Sequence, residues 1–225
     1  MFTYFLFIAP ALLLAVFAQA QVKSAFHRWS QVASRSGWTG AQVAQRVLDH
    51  GGVQGVRIEA TRGTLTDHYD PRGRVLRLSE ANYHGRSVAA AAVAAHEAGH
   101  AIQHDRQYAP LALRALAVPA ANFGSGLSFP LLILGAILAQ PALILAGVVL
   151  FSCVVLFQLI TLPVEFDASR RAKLVLAESG MIVDEDEARG VSKVLNAAAL
   201  TYVAAAAQAI LTLLYYVMVF MGNRR

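Results

Sequence analysis

The chain has 225 residues, of which 56% are hydrophobic and 15% are charged, whereas charged residues make up about 25% of a typical globular protein. Intrinsic disorder is excluded because the apolar surface is ample for burial, and the single Cys excludes a disulfide framework and cysteine-rich zinc modules. We therefore predict a polytopic membrane protein with one small domain outside the bilayer.

Three stretches of the chain contain no charged residue: 2–20, 115–162 and 197–222. A bilayer core about 30 Å thick needs about 20 apolar residues in a helix. The middle stretch is long enough for two helices, with Gln140-Pro141 as the turn between them. We predict four transmembrane helices, near residues 2–20, 113–138, 142–162 and 198–221.

The first span has an alternative interpretation. Ala18-Gln19-Ala20 resembles the small-x-small site at which a signal peptide is cleaved. However, no Lys or Arg precedes the apolar run, and that run is long for a signal peptide. The uncleaved anchor is therefore favoured, and the cleaved signal peptide is the alternative.

The polar residues form two segments, 21–112 and 163–197, which an even number of spans places on one side of the membrane. Basic residues follow the first and third spans, so the positive-inside rule predicts that both segments are cytoplasmic. Arg224 and Arg225 argue mildly for the opposite orientation. The net charge of +5 is thus mainly a topology signal. No nucleic-acid partner is expected, because the basic residues alternate with acidic ones and form no stripe.

Within the first polar segment we predict a helix, a small sheet and a second helix. The helix runs from Thr39 to His50, with Val43, Val47 and Leu48 on one face. The segments 56–59 and 75–78 alternate like strands, and the turn 70–73 lies before the second of them, which predicts a small antiparallel sheet. Ser87 is a good N-cap for a helix that reaches about Gln107.

Two further helix signals lie in the second polar segment. Residues 165–179 form a helical pattern that begins after Pro163 and ends at Gly180. Asp184 and Glu187 have the spacing of a capping box, which predicts a new helix that leads into the last span.

The strongest chemical motif is HExxH, His96 to His100, on the helix that follows Ser87. Residues four apart share one helix face, so both imidazoles can bind one metal ion. Glu97 points off that line, where it can hold a metal-bound water whose pKa zinc lowers to about 7. The pentapeptide also occurs by chance, but its place in an Ala-rich helix beside a membrane hairpin favours a metal site.

A catalytic zinc has a third protein ligand. His104 is a poor candidate, because His96 and His104 lie about 12 Å apart along a helix axis and zinc–nitrogen bonds are only about 2.0–2.1 Å long. Glu165 opens the second polar segment on the same side of the membrane as His96 and is the better candidate, with Asp167 as its rival. Either carboxylate also fits a simpler role at the start of a helix, where the dipole favours acids.

These motifs resemble a known family. The HExxH helix, membrane hairpin and Glu-bearing helix resemble the layout of HtpX-type membrane gluzincins, and the longer stretches resemble the YugP-like family of putative neutral zinc metallopeptidases of bacterial membranes. The matching stretches cover most of the chain: 36–41, 65–71, 78–80, 93–103, 108–111 and 162–172.

The resemblance implies that zinc is held by His96, His100 and Glu165 and that Glu97 is the general base. It also implies an integral membrane protein of the bacterial inner membrane. One position departs from the wider gluzincin pattern, which has an Asp four residues after the ligand Glu to orient a ligand histidine. Here that residue is Ser169, a weaker orienter than a carboxylate. Asp167 is the alternative for that role.

Peptide hydrolysis also needs a donor for the developing oxyanion, and spacing singles out no residue for it. The candidates that support the site are Asp167, Ser169, Arg170, His68, Tyr83 and His104, with Tyr69, His84 and Tyr108 as further donors. The polar run 66–70 is either an edge strand that lines the substrate cleft, a polar cluster behind the metal ligands, or a well-hydrogen-bonded turn. For His104, a surface position or a contact behind a metal ligand is expected.

The predicted fold class is a mainly α membrane protein with about four transmembrane helices and a small α+β zincin-like catalytic domain containing a short antiparallel sheet. The predicted divisions are a transmembrane helix (1–20), a cytoplasmic segment with the HExxH helix (21–112), a transmembrane hairpin (113–162), a cytoplasmic helical segment with the third zinc ligand (163–197), and a last transmembrane helix with the C-terminal tail (198–225).

The predicted function is a membrane-embedded zinc endopeptidase that acts on protein or peptide substrates near the cytoplasmic membrane surface. An alternative is a non-catalytic membrane scaffold stabilised by Zn²⁺, in which Glu97 has no role. A transporter is a weaker alternative, because the spans hold no ionisable residue except Arg114 at one edge.

Overall fold

A computed structural model describes residues 2–222, with side chains from Leu6 onwards. The C-terminal residues Arg224 and Arg225 lie outside this range. In chain order the elements are α1 (Phe2–Ser30), α2 (Gly40–His50), β1 (Arg57–Thr61), β2 (His68–Asp70), β3 (Val75–Ser79), α3 (Glu80–Tyr83), α4 (Val88–Asp105), α5 (Ala109–Ile137), α6 (Pro141–Glu178) and α7 (Glu185–Gly222).

The chain divides into two compact units, and three helices contribute to both. The first unit comprises residues 1–17, 109–163 and 201–225, and the second comprises 18–108 and 164–200. The first unit therefore contains most of the predicted apolar spans, and the second contains both polar segments and the sheet.

Within the described part of the chain, four helices are long and apolar enough to cross a bilayer, which confirms the predicted number: Leu6–Ser30 within α1, and all of α5, α6 and α7. At 38 residues each, α6 and α7 are about 57 Å long, well beyond a hydrocarbon core of about 30 Å. The turn at Gln140 separates α5 from α6 as predicted. In the first unit Leu132, Ile144 and Val148 form a small core.

Pro163 does not end a helix, contrary to prediction, but lies inside α6. An interior Pro removes one backbone hydrogen bond and clashes with the preceding turn, at a cost of about 3 kcal/mol. The residues after it are held by tertiary packing, since Val164, Ala168 and Ala172 are fully buried. Burial of this face offsets the local defect, so the helix continues to Glu178.

The second unit is built around helix α4, which packs against α2. Helix α2 lies where it was predicted. It begins with a capping box, in which Thr39 and Gln42 each accept a bond from the other's backbone N–H. Ser87 caps α4, accepting the N–H of Ala90 at 3.1 Å. Buried Val43, Val47 and Leu48 contribute to the core, as their spacing predicts.

The predicted mainly α fold with a short sheet is confirmed, but the sheet is mixed rather than antiparallel. Its order is β1-β3-β2, with β2 antiparallel and β1 parallel to β3. The turn at 70–73 does close a hairpin, but its first strand is the three-residue segment just before the turn. Since β2 occupies the antiparallel edge, β1 joins the other edge of β3 and runs parallel to it.

Helix α7 begins where the capping signal predicts, with one difference. Asp184 accepts the N–H of Glu187 at 2.8 Å. The Glu187 carboxylate does not return the bond to Asp184 but accepts the backbone N–H groups of Val183 and Arg35, at 2.9 and 2.6 Å. The 3% exposed Glu187 thereby ties the start of α7 to the loop after α1.

Candidate metal centre

The two histidines of the HExxH motif lie one turn apart on α4. Their rings meet edge to face, with centroids 4.8 Å apart. The helix around them is rich in small residues, and Ala94, Ala95 and Ala98 are fully buried. Two imidazoles are thereby held on one face of a helix that is fixed in the core.

Small residues also let α6 approach α4 closely beside the histidines. A Cβ atom at Gly99 would lie 2.8 Å from the carbonyl oxygen of Ala168, closer than real Cβ contacts. Glu165 lies one turn before Ala168 on α6. The absence of a side chain at Gly99 therefore allows the Glu165 carboxylate to reach the two imidazoles.

His96, His100 and Glu165 converge. Their candidate ligand atoms all lie within 4.8 Å of one another. Glu165 Oε2 lies 3.3 Å from His96 Nε2 and 3.6 Å from His100 Nε2. The side chains are 13%, 11% and 2% exposed for His96, His100 and Glu165.

This arrangement fits a zinc ion. Bonds of about 2.0–2.1 Å in a tetrahedron place neighbouring ligand atoms about 3.3–3.5 Å apart, close to the 3.3 and 3.6 Å contacts of Glu165 with the two imidazoles. Two His and one Glu form a known ligand set of catalytic zinc sites, in which a fourth position remains open for water or substrate.

The outer nitrogen of each imidazole also has a polar contact. Ser169 Oγ lies 3.1 Å from His96 Nδ1. Ser169 is the residue that stands where the wider gluzincin pattern has an orienting Asp. Gln103 Oε1 lies 3.0 Å from His100 Nδ1. Gln103 is not among the residues predicted from the sequence. Its one local signal is that it follows His100 by three residues and so shares its helix face.

Negative charge dominates the electrostatics around His100. Burial lowers the pKa of His100, but the contact with Glu165 and the charges of Glu97 and Glu165 outweigh burial, so its pKa is raised. The half-buried Glu97 is thus close enough for its charge to act on His100. Such a site attracts a cation, because a positive charge there is stabilised from two sides.

Asp167, the rival third ligand, lies outside the group of three ligands within the described residues. Its carboxylate accepts bonds from Gln103 Nε2, Arg170 Nη2 and Arg171 Nε, at 3.0, 2.6 and 2.5 Å. Because α6 is continuous, neither Asp167 nor Glu165 stands at a helix start, so the helix dipole does not explain either carboxylate.

The remaining predicted candidates contact residues other than the three candidate ligands. His104 Nδ1 lies 2.9 Å from Tyr69 Oη, which links α4 to β2. Tyr83 packs edge-on against the ring of His84, with centroids 4.8 Å apart. Tyr69, the partner of His104, is not one of the three candidate ligands, so a contact of His104 behind a metal ligand stays a prediction. Tyr83 has no described hydrogen bond that points to a role.

The polar run 66–70, whose last three residues form β2, includes a hydrogen-bond cluster. Asp67 accepts the N–H of Ser79 at 2.7 Å and the amide of Asn82 at 3.0 Å, and both donors are at least 98% buried. The exposed His68 contacts the carbonyl oxygen of Thr66 at 2.8 Å. Residues 68–70 therefore form the edge strand β2 rather than a turn, and Asp67 joins this strand to β3 and α3. That this edge lines a substrate cleft stays a prediction.

Comparison with known proteins identifies relatives of the chain. The family model described as "Putative neutral zinc metallopeptidase" matches residues 4–221. The chain is 53% identical over 222 residues to "Putative membrane protease YugP" of Bacillus subtilis (strain 168), covering 98% of each chain. No solved structure matches the chain.

Proposed function

The chain belongs to the putative neutral zinc metallopeptidase family, and we propose that it is a membrane-embedded, zinc-dependent endopeptidase. The observation that carries this proposal is the convergence of His96, His100 and Glu165, whose candidate ligand atoms lie within 4.8 Å of one another although 69 residues separate His96 from Glu165. The similarity to a protein named as a membrane protease supports the same activity.

Zinc, when bound, supplies Lewis-acid activation of water and of the substrate carbonyl. Glu97 follows His96 directly and carries the carboxylate that accepts the proton of the attacking water. Its negative charge already acts on His100, so it lies within electrostatic reach of the ligand group. Ser169 and Gln103 hold the two imidazoles from behind.

The reaction takes place near the cytoplasmic surface of the bacterial inner membrane, on protein or peptide substrates. Glu165 follows the charge-free stretch by three residues on one continuous helix, which is about 5 Å along the axis. Both polar segments carry the basic residues that favour the cytoplasmic side.

The decisive experiment combines metal analysis with a protease assay on detergent-purified protein, using a fluorogenic casein substrate. Glu97→Gln is expected to keep about one zinc per chain while hydrolysis falls by at least about 10²-fold, the usual contribution of a general base. Glu165→Ala is expected to lose both zinc and hydrolysis, because two imidazoles alone bind the ion weakly.

Glu178→Gln is the matched control, since it makes the same change as Glu97→Gln at a 59% exposed carboxylate, and Glu178 lies on α6, the helix that carries Glu165. It should retain zinc and activity. Full activity in Glu97→Gln would contradict the proposal. If the wild type bound zinc without hydrolysing casein, and Glu97→Gln were as stable as the wild type, the results would instead support the non-catalytic scaffold.

A further inference from the structure

Gln103 is a buried polar side chain that the metal-ligand set leaves unexplained. It is 0% exposed, although a glutamine loses about 1.5–2 kcal/mol of rotamer freedom when it is fixed. It lies on α4, one turn after His100, and faces α6. Every polar atom of its amide has a partner: Oε1 contacts His100 Nδ1 at 3.0 Å, and Nε2 contacts Val164 O and Asp167 Oδ2 at 2.8 and 3.0 Å.

The contact with Val164 settles the orientation of this amide. A backbone carbonyl oxygen only accepts hydrogen bonds, so the amide atom that faces it must be the nitrogen of Gln103. The amide oxygen therefore faces His100. An amide oxygen also only accepts, so His100 Nδ1 must carry the hydrogen of that bond.

The tautomer of His100 follows. With its hydrogen on Nδ1, a neutral imidazole has its lone pair on Nε2. His100 Nε2 is the atom that lies 3.6 Å from Glu165 Oε2. Gln103 therefore directs the metal-binding lone pair towards the ligand group from the opposite side of the ring.

A charged network holds Gln103 in this orientation. Asp167 receives the second hydrogen bond of the amide and is itself bound by Arg170 and Arg171, at 2.6 and 2.5 Å. The Arg171 guanidinium also lies over the ring of Tyr108, 5.8 Å from its centroid. A rotation of the amide would place its oxygen against the Asp167 carboxylate, so one orientation is strongly preferred.

We propose that Gln103 is the positioning residue of the metal centre, which fixes the tautomer and ring orientation of His100 and is itself fixed by Asp167. The inference rests on the proposed metal centre and assigns Asp167 a place behind that centre rather than among its ligands. Partners of this kind typically change metal affinity by about 10–100-fold when removed.

The test measures zinc affinity by competition with a chromophoric chelator on the detergent-purified full chain. Gln103→Leu removes both the acceptor and the donors, and its zinc Kd should rise by about 10–100-fold. Gln103→Glu keeps an acceptor for the His100 Nδ1 hydrogen but places a carboxylate beside Asp167. We expect Gln103→Glu to bind zinc within about fivefold of wild type while its metal-free form melts at a lower temperature.

Ile102→Ala is the control for general destabilisation, since the adjacent Ile102 is 5% exposed and belongs to the hydrophobic core. It should lower the melting temperature and leave the zinc Kd unchanged. A purely structural role would make zinc affinity follow stability, so that Gln103→Glu binds no better than Gln103→Leu. That result would overturn the proposal, as would a wild-type Kd in Gln103→Leu.

The Gln103→Glu arm remains informative if Gln103→Leu does not fold, because a zinc Kd more than tenfold weaker than that of wild type would also overturn the proposal. Zinc affinity and hydrolysis are separate readouts. A wild-type protein that binds zinc without cleaving casein would contradict the endopeptidase but leave the Gln103 test intact.

Discussion

At the scale of single residues, Glu165 carries a buried carboxylate in the middle of α6. Burial of such a charge is costly unless positive charge compensates it. It is 2% exposed and meets the Nε2 atoms of His96 and His100. Since Gln103 places the hydrogen of a neutral His100 on Nδ1, the Nε2 atom presents a lone pair to the carboxylate. The three side chains are therefore compatible only when a proton or a metal ion lies between them, and the raised pKa of His100 reflects the former.

Ser169 is the corresponding contact of His96, and its contribution can be measured. Ser169→Ala removes the hydroxyl 3.1 Å from His96 Nδ1, so the zinc Kd should rise by about 10-fold, the lower end of the range for such contacts. A hydroxyl is a weaker orienter than a carboxylate, which is why the lower end is expected. The measurement is the same chelator competition.

Ser30→Ala serves as the control, because it deletes a hydrogen bond of 2.8 Å to the carbonyl oxygen of His27 at the end of α1. Its zinc Kd should equal that of wild type. If Ser169→Ala matched this control, Ser169 would have no part in positioning His96.

The sequence predicts only those features of the site that depend on residues close together in the chain. The spacing of His96 and His100 is a property of one helix, so it can be read from the chain directly. Gln103 was missed because its role depends on Val164 and Asp167, 61 and 64 residues away. A glutamine in a polar helix turn ordinarily faces solvent, and only the approach of α6 turns it into a buried contact.

At the scale of the elements, the closeness of α4 and α6 determines whether a third ligand exists. Gly99 lies in the motif itself, and a Cβ there would stand 2.8 Å from the carbonyl oxygen of Ala168. The neighbouring residues Ala98, Ala168 and Ala172 are 0% exposed. The helices thus meet through backbone and methyl groups, and any added atom must move one of them.

Gly99→Ala tests this contact. In a free helix the change stabilises by about 1 kcal/mol, but overpacking at a backbone contact costs about 1–3 kcal/mol. We expect a net loss of stability together with a weaker zinc affinity, since α6 and Glu165 must shift away from the histidines. Thermal unfolding and the chelator titration measure the two effects.

Gly126→Ala is the matched control within α5, where a Cβ would meet nothing within 4 Å. It should leave zinc affinity unchanged and the melting temperature equal or higher. If Gly99→Ala behaved like this control, close contact between α4 and α6 would not limit the geometry of the site.

The sheet contains one strand that the sequence pattern did not predict. Alternation identified strands at 56–59 and 75–78, and the turn at 70–73 was recognised. Their pairing is confirmed, but their predicted antiparallel direction was wrong. The antiparallel partner of β3 is β2, which is only three residues long, too short for alternation to be distinguished from a loop. The same holds for Pro163, whose local tendency to end a helix is outweighed by packing that no local signal describes.

At the scale of the whole molecule, the distribution of charge in the sequence corresponds to the division of the chain. The charge-free stretches supply the helices long enough to cross a bilayer, and the ligand group lies entirely within residues 18–108 and 164–200. Two spans separate His100 from Glu165 along the chain. Both must therefore stand on one side of the membrane for the metal centre to form.

This topology can be tested with single cysteines, because Cys153 is the one cysteine of the chain. In a Cys153→Ala background we propose Thr64→Cys and Ser179→Cys as reporters for the two polar segments, and Gln140→Cys for the turn between α5 and α6; all three residues are exposed. On intact spheroplasts a membrane-impermeant maleimide should label only Gln140→Cys. Thr64→Cys and Ser179→Cys should react after permeabilisation, as the basic residues of both segments predict.

The pattern of labelling separates two kinds of error. Labelling of Thr64→Cys and Ser179→Cys from outside, with Gln140→Cys protected, would reverse the orientation but preserve the metal centre, since both segments would still share a side. Labelling of Thr64→Cys and Ser179→Cys on opposite sides would contradict the metal centre itself, because His100 and Glu165 could not then bind one ion. The orientation therefore depends on the basic residues of the two polar segments, whereas the shared side is a geometric requirement of the three ligands.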